Sequence, residues 1–135
     1  MKIYFKKKKI DIPVKTVSSI GKVFGLMFKS RNTENLLFNF KAKTKMSIHS
    51  LFVFFPFIAL WLDDKNKVIG SRVVTPFAFA IRGKKPFSKL IELPINDKNR
   101  KMIGFFIGKS FARFSPRRQK EKRTPQRRHS EERFK

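Results

Sequence analysis

The sequence predicts a mainly β fold class: a small antiparallel sandwich or barrel-like domain with one short helix, followed by a disordered basic C-terminal tail. Short runs of β-branched, aliphatic and aromatic residues recur along the chain, and turn signals separate them every eight to twelve residues or so. Only one segment has helical periodicity. Residues 115–133 contain no apolar side chain except proline, a composition that cannot offset its ordering entropy. We therefore expect a β domain over residues 1–112 and a tail over residues 113–135.

The domain is organised around the stretch Leu51–Leu62, in which every residue is apolar, Pro56 included. A membrane-spanning helix needs about 20 predominantly apolar residues, and a proline near the middle interrupts a helical hydrogen-bond ladder. Phe, Val, Ile and Trp favour strands. The stretch therefore predicts two short buried strands, roughly 47–55 and 57–63, and no transmembrane segment.

The first part of the chain is predicted to form edge strands, the helix and a hairpin. Period-two alternation predicts edge strands at 3–5 and 10–14, with lysines 6–9 in an exposed turn. A short helix is predicted to begin at Ser18 or Ser19, because the apolar residues that follow recur at helical spacing. The later elements are a strand at 36–40, a polar connection at 41–45 and a strand over 46–54 that pairs with 36–40 as a hairpin.

The second part predicts a hairpin followed by three more strands. The polar turn 63–67 joins the second central strand to an apolar arm at 68–74. Further short strands are predicted at 77–81, 89–93 and 102–107, because each apolar run is bounded by proline, glycine or polar loops.

The charge constrains the partners. Thirty-three Lys and Arg residues against nine Asp and Glu give a formal charge of +24. Such an excess disfavours the compact state by self-repulsion and favours polyanionic partners. The alternative is a lysine-rich composition spread evenly over a solvated surface. The chain has no cysteine, and its start lacks the apolar region of a signal peptide, so we predict a cytoplasmic protein.

The tail is rich in arginine, whereas the domain uses mainly lysine. Arginine suits phosphate recognition, and such a segment binds RNA or DNA through backbone charge, with steep salt dependence and little sequence selectivity. A solubilising end with no partner is the alternative. The residues predicted to contact nucleic acid are Arg117, Arg118, Arg123, Arg127 and Arg128.

Four short motifs, in the right order, resemble the DUF192 (UPF0127) family in its archaeal form. The motifs are Gly25-Leu26-Met27-Phe28-Lys29 with the following Leu37–Phe40 strand, Ser47–His49 with Phe52–Pro56 and Leu62-Asp63, Leu90-Ile91-Glu92-Leu93-Pro94, and Ile107-Gly108. The resemblance covers roughly residues 10–111. It implies a small, mainly β, sandwich-like fold and no established activity.

The chain also departs from the family pattern. An acid often follows the proline-containing strand, where this chain has Ile58 and Ala59. The family's glycine after Glu-Leu-Pro is replaced at Ile95 and Asn96, and an aspartate after the late glycine is replaced by Lys109. The departures remove polar or special positions that a family site would use.

Three residues of the domain are candidates for a ligand site: Glu92, His49 and Asp63. Glu92 is a carboxylate in an apolar strand, so it faces solvent, pairs with a cation or has a perturbed pKa. His49 is a general base or ligand, or a histidine bonded to a loop carbonyl. Asp63 is adjacent to Asp64 and either binds a cation together with Asp64 and Glu92 or is a normal turn residue. No His/Cys cluster, phosphate loop or nucleophile elbow is present, so the sequence predicts no metal, cofactor or catalytic set.

These observations support a binding module rather than an enzyme, with the basic tail on nucleic acid or a ribonucleoprotein. The alternative is an enzyme or small-ligand domain with a pocket near Glu92 and His49. A third hypothesis is peripheral membrane binding through lysines 6–9 and exposed phenylalanines. The sequence does not predict an oligomeric state.

Overall fold

The computed structural model describes residues 1–17, 26, 29–47, 53–78 and 81–108. Strands predominate among them, which confirms the mainly β class. The elements are β1 (Lys2–Phe5), β2 (Lys8–Asp11), β3 (Lys15–Thr16), β4 (Leu36–Thr44), β5 (Phe57–Leu62), β6 (Val68–Val74), β7 (Phe87–Pro94), a 3-10 turn (Asp97–Asn99) and helix α1 (Arg100–Ile107).

The strands form two open sheets. β1 and β2 make a two-stranded antiparallel hairpin, and the other five strands form one sheet in the order β3-β4-β7-β5-β6. All neighbours in this larger sheet are antiparallel except β3 and β4, which run parallel. β5 and β7 therefore lie inside the sheet, while β3 and β6 are its edges.

The central strand β5 is buried on both faces, which explains why its sequence is uniformly apolar rather than alternating. On one face Phe57, Ala59 and Trp61 join a core that Val53 and Phe55 also enter. We call this the aromatic face. The opposite face of β5 belongs to a second core, which is almost entirely aliphatic.

The aliphatic core is closed by the N-terminal hairpin and the helix. Ile3 and Ile10 from the hairpin and Ile103 from α1 are buried against the sheet. These contacts tie elements from the two ends of the described chain to the same side of the sheet. The burial of branched aliphatic side chains stabilises this layer, at about 25 cal/mol for each Å² of apolar surface removed from water.

The predicted strand over residues 102–107 is wrong, because this segment is the helix α1. Met102, Ile103, Phe106 and Ile107 all pack on the aliphatic core, while Gly104 is exposed. That spacing gives one apolar helical face. In a short apolar run such a face cannot be distinguished from a buried strand by periodicity alone. The 3-10 turn before it is capped by Asn96, whose side chain accepts a hydrogen bond from the Asn99 N–H at 3.0 Å.

The predicted hairpin of 36–40 with 46–54 is also wrong. β4 pairs with β3 and β7 instead, and it continues to Thr44 through the segment predicted as a polar connection. Residues 53–55 are not strand: Val53 and Phe55 are buried and Phe54 is exposed. In the strand predicted at 77–81, Phe77 lies in a turn and Ala78 is not strand, while residues 79–80 lie outside the described residues. The helix predicted from Ser18 or Ser19 and the whole of its apolar face (Ile20, Val23, Phe24 and Met27) lie outside the described residues. The same is true of residues 48–52 of the strand predicted at 47–55, and of the tail.

The hairpin predicted over 57–63 and 68–74 is confirmed as β5 and β6, and the strand predicted at 89–93 is confirmed as the core of β7. The predicted edge strands at 3–5 and 10–14 are confirmed in part, as β1 and β2. Within the described residues, no helix is long and apolar enough to cross a membrane.

Candidate functional site

The turn between β1 and β2 consists of two lysines in an unusual conformation. Lys6 and Lys7 have φ values of 46° and 65°, both in the left-handed region. Two-residue hairpin turns of this type strongly favour Asn-Gly, because positive φ is unfavourable for residues with a long side chain. The turn therefore places two ammonium groups at a position where glycine or asparagine would be accommodated more easily.

The turn between β5 and β6 is built by one aspartate. The Asp63 carboxylate accepts hydrogen bonds from the backbone N–H groups of Lys65 at 2.9 Å and Lys67 at 2.8 Å. Asn66 adopts a positive φ of 64°, which asparagine tolerates, and its side-chain oxygen accepts a hydrogen bond from Lys89. The Asp63 side chain therefore stabilises the turn, in agreement with its interpretation as a turn residue.

The two turns meet, although they are about 60 residues apart in the chain. The Tyr4 N–H donates to the Asn66 carbonyl at 3.0 Å, and Tyr4 forms an isolated parallel bridge with Lys67. The junction borders an open cleft of about 410 Å³, which we call the lysine cleft. Its lining residues are Tyr4, Lys6, Lys7, Lys65 and Lys67.

The lysine cleft is suited to an anion. Its four lysines are exposed and Tyr4 keeps 44% of its surface accessible, so the site combines exposed ammonium donors with an aromatic ring. The nearby carboxylate of Asp63 already accepts two backbone N–H groups. Ammonium groups bind phosphate as point charges without a fixed geometry, so the cleft fits a flexible phosphate backbone better than one rigid small molecule.

Glu92 lies at the centre of the larger sheet, far from this cleft. It stands opposite Leu36 on β4 and Ala59 on β5, so its side chain is on the aromatic face. Only 6% of the residue is exposed. Of its three predicted environments, solvent exposure is therefore excluded.

Burial raises the pKa of the Glu92 carboxyl to about 8, although a hydrogen bond from the Leu26 backbone N–H acts in the opposite direction. No ion pair to Glu92 is found among the described residues. The carboxyl is therefore mostly protonated at neutral pH. Trp61 lies on the same face, and its buried indole Nε1–H has no hydrogen-bond partner within the described part of the chain.

The candidate residues are not brought together as one site. Asp63 follows Ala59, the neighbour of Glu92, by four strand residues, which is about 13 Å along β5. His49 lies outside the described residues, so a pocket shared by Glu92 and His49 stays a prediction. The five tail arginines also lie outside them. Among the described residues, no group of three or more acidic or histidine side chains is arranged to hold a metal ion.

A second cleft, of about 500 Å³, opens between the segment before β3 and the 3-10 turn. Its floor is a reciprocal amide pair, in which Asn35 and Asn99 exchange hydrogen bonds of 3.1 and 2.8 Å. Asn35 also donates to the Pro13 carbonyl, and Asn99 donates to the Pro94 carbonyl. The side-chain amides of Asn35 and Asn99 thus donate four hydrogen bonds, all to protein acceptors. The pair therefore joins three chain segments.

Sequence reasoning missed the lysine cleft as a site. It identified both turns as separate exposed loops, with a lipid or phosphate contact of lysines 6–9 as the alternative for the first turn. The only local signal was the pair of lysines at the two central positions of a short hairpin, where the turn chemistry favours Asn-Gly. The convergence of the two turns is a tertiary property.

No protein-family model and no curated protein matches this chain. Two solved structures are similar in fold. A protein of unknown function from Novosphingobium aromaticivorans DSM 12444 is 11% identical with a TM-score of 0.61, over 75% of each chain. A "putative transcription regulator" from Sinorhizobium meliloti 1021 is 18% identical with a TM-score of 0.62, over 76% of this chain and 82% of that one. At these identities the likeness shows the fold alone.

Proposed function

We propose that this protein is a nucleic-acid-binding module that contacts the phosphate backbone through the lysine cleft and through the arginines of its tail. The convergence of four lysines from two distant turns is the observation that carries this proposal. The description of the Sinorhizobium meliloti structure as a "putative transcription regulator" agrees with it, but the proposal depends on the cleft.

The backbone of the cleft supports a role for its charge. Lys6 and Lys7 occupy left-handed positions, each unfavourable by about 1–2 kcal/mol for a residue with a side chain. Strain of this kind persists at functional sites, where it places a required group. An evenly basic surface would not need cations at these two positions, so the strain distinguishes the cleft from general lysine richness.

The binding would be electrostatic and little selective for sequence. Each phosphate neutralised by a lysine or arginine releases condensed counterions, so the affinity falls as salt rises. The tail arginines would add further contacts to the same backbone. Arg117, Arg118, Arg123, Arg127 and Arg128 are the proposed tail contacts.

The test is a salt titration of the full chain with RNA and duplex DNA. Replacing the four cleft lysines by glutamine should weaken binding and make the plot of log affinity against log salt shallower by about 3. The matched control replaces four exposed lysines outside the cleft, which are Lys29, Lys43, Lys45 and Lys101. Equal losses in the two variants would show that the charge acts diffusely and that the cleft is not a site.

The tail is tested in the full chain by replacing its five arginines with glutamine. A loss of affinity and a shallower salt plot, additive with the cleft substitutions, would support contacts by both regions. If wild-type protein fails to bind either nucleic acid near physiological salt, the proposed function is wrong and the charge is compositional.

We further propose that the chain is a divergent member of the DUF192 family. The hydrogen bond from Leu26 to Glu92 supports this proposal, since it connects two of the four motifs that carry the resemblance. Hydrogen exchange measures the contact directly. The Leu26 amide should be protected in the wild type and should exchange faster after Glu92→Leu; equal exchange would remove this support.

A further inference from the structure

Two phenylalanines form an exposed aromatic pair away from both cores. Phe54 and Phe77 keep 63% and 49% of their surfaces accessible. Their ring centroids are 5.6 Å apart and the rings meet edge to face at 79°. Phenylalanine has no polar atom that benefits from exposure, and an exposed apolar pair on an otherwise strongly charged chain marks a contact surface.

The backbone holds Phe77 in a conformation that disfavours a bulky side chain. Its φ is +61°, directly after Pro76 at the end of β6. Left-handed geometry is rare for aromatic residues, and such outliers cluster where the structure must aim a group. The turn orients the Phe77 ring against Phe54 rather than into the aromatic core.

The aromatic pair and the lysine cleft lie at opposite ends of one hairpin. Phe54 comes three residues before β5 and Phe77 three residues after β6, whereas the cleft uses the turn that joins these strands. The six residues of β5 span about 20 Å. β6 is an edge strand of the sheet, and Ser71 and Arg72 are exposed along it.

We infer that the Phe54–Phe77 pair holds an unpaired base of a single-stranded nucleic acid, with one ring stacked on the face of the base and the other against its edge, and that the phosphate backbone of the same strand enters the lysine cleft. This inference rests on the proposed function and narrows its substrate class to single strands. Proteins that bind single strands combine a basic groove with aromatic rings, because every base has a π-face. A duplex keeps its bases stacked inside, so it offers phosphates to the cleft but no free base to the rings.

The arrangement favours a linear polymer over a lipid surface. A bilayer contact places basic groups around the inserted apolar side chains, at the level of the headgroups. Here the cleft and the rings are separated along the length of the β5–β6 hairpin, and β6, which is an edge strand among the described residues, connects them. A strand of several nucleotides can follow that edge.

The experiment compares full-length wild type, Phe54→Ala and Phe77→Asn in binding to a fluorescent single strand of about 12 nucleotides and to a duplex. Asparagine suits position 77 because it tolerates positive φ. Each substitution should weaken single-strand binding by about five- to a hundredfold, with duplex binding and the salt slope unchanged. Phe54→Trp should preserve single-strand binding, and Phe54→Leu, which keeps apolar surface without a ring, should not.

The outcomes separate this inference from the proposed function. Unchanged single-strand binding, or equal losses for single strand and duplex, would overturn the stacking role while leaving the cleft's function intact. If the Phe54 and Phe77 variants no longer pellet with anionic vesicles but still bind single strands, the aromatic pair contacts lipid and the stacking role is wrong. Failure of wild type to bind any nucleic acid would overturn both proposals together.

Discussion

Replacing Glu92 by glutamine should remove a strong pH dependence of stability. The pKa of the Glu92 carboxyl rises from 4.5 to about 8 on folding, with burial as the main cause. Between these two pH values the unfolded chain has lost a proton that the folded chain keeps. The free energy of unfolding therefore falls as pH rises, by about 1.4 kcal/mol for each pH unit.

The magnitude is large relative to the stability of a small domain. At pH 7 the folded state has lost about 3 kcal/mol compared with pH 4.5, and the loss levels off near 5 kcal/mol above pH 8. Total stabilities of such domains are about 5–15 kcal/mol. The contribution is fully present below pH 4.5 and disappears as pH rises through 8.

Glu92→Gln keeps the shape and an acceptor for the Leu26 N–H but carries no titrating proton. The variant should match wild type near pH 5 and exceed it by about 3–4 kcal/mol at pH 8. Glu92→Leu leaves the Leu26 N–H without that acceptor, which costs about 1–3 kcal/mol relative to the glutamine variant at pH 5.

Urea unfolding followed by the fluorescence of Trp61, the only tryptophan, measures these differences at each pH. Glu34 provides the control, because it is exposed, so Glu34→Gln should leave the wild-type pH slope unchanged. Parallel curves for wild type and Glu92→Gln between pH 5 and 8 would refute the reasoning, because they would mean that Glu92 does not retain its proton on folding.

Further substitutions test the turn and the packing around Trp61. Lys6→Asn combined with Lys7→Gly relieves the positive-φ strain in the β1–β2 turn. Urea unfolding should therefore show about 1–2 kcal/mol more stability, while nucleic-acid titration should show weaker binding. A less stable variant would contradict the strain argument. Gly83→Ala places a Cβ 3.2 Å from the Trp61 indole, so it should cost about 1–3 kcal/mol and shift the tryptophan emission. Gly104→Ala is its control, because the exposed position in α1 has nothing within 4 Å of the new Cβ and should gain up to about 1 kcal/mol. An equal effect of both alanines would exclude a packing cause.

The parts of the fold that local chemistry determines were predictable. The β5–β6 hairpin follows from two apolar runs around a polar turn, and β7 from a run bounded by prolines. Helix α1 was not predicted, because its apolar run is too short for the spacing of apolar residues to distinguish a helix from a strand. Asn96 and Asp97 are an N-terminal helix signal, but the same two residues are also typical of a polar loop between strands.

Pairing between distant segments was not predictable in the same way. β4 was assigned to its sequence neighbour, whereas it pairs with β7, roughly 50 residues away. The lysine cleft has the same origin, because Tyr4 and Asn66 meet only in the folded chain. Glu92 could be singled out from the sequence because a carboxylate among apolar strand residues must be compensated or neutralised, and the structure shows that burial raises its pKa.

The fold does little to reduce its own positive charge. Protonation of Glu92 at neutral pH removes one negative charge, so the formal charge of +24 becomes +25. The carboxylate of Asp63, in the turn that contributes Lys65 and Lys67 to the cleft, accepts hydrogen bonds from backbone N–H groups, and Lys6 and Lys7 occupy strained positions in the other turn. The protonation of Glu92 makes the folded state more basic than its composition requires, and the positive φ of the two turn lysines adds backbone strain. A bound polyanion would offset the repulsion among the lysines, so the same charges that disfavour the free protein would stabilise its complex with nucleic acid.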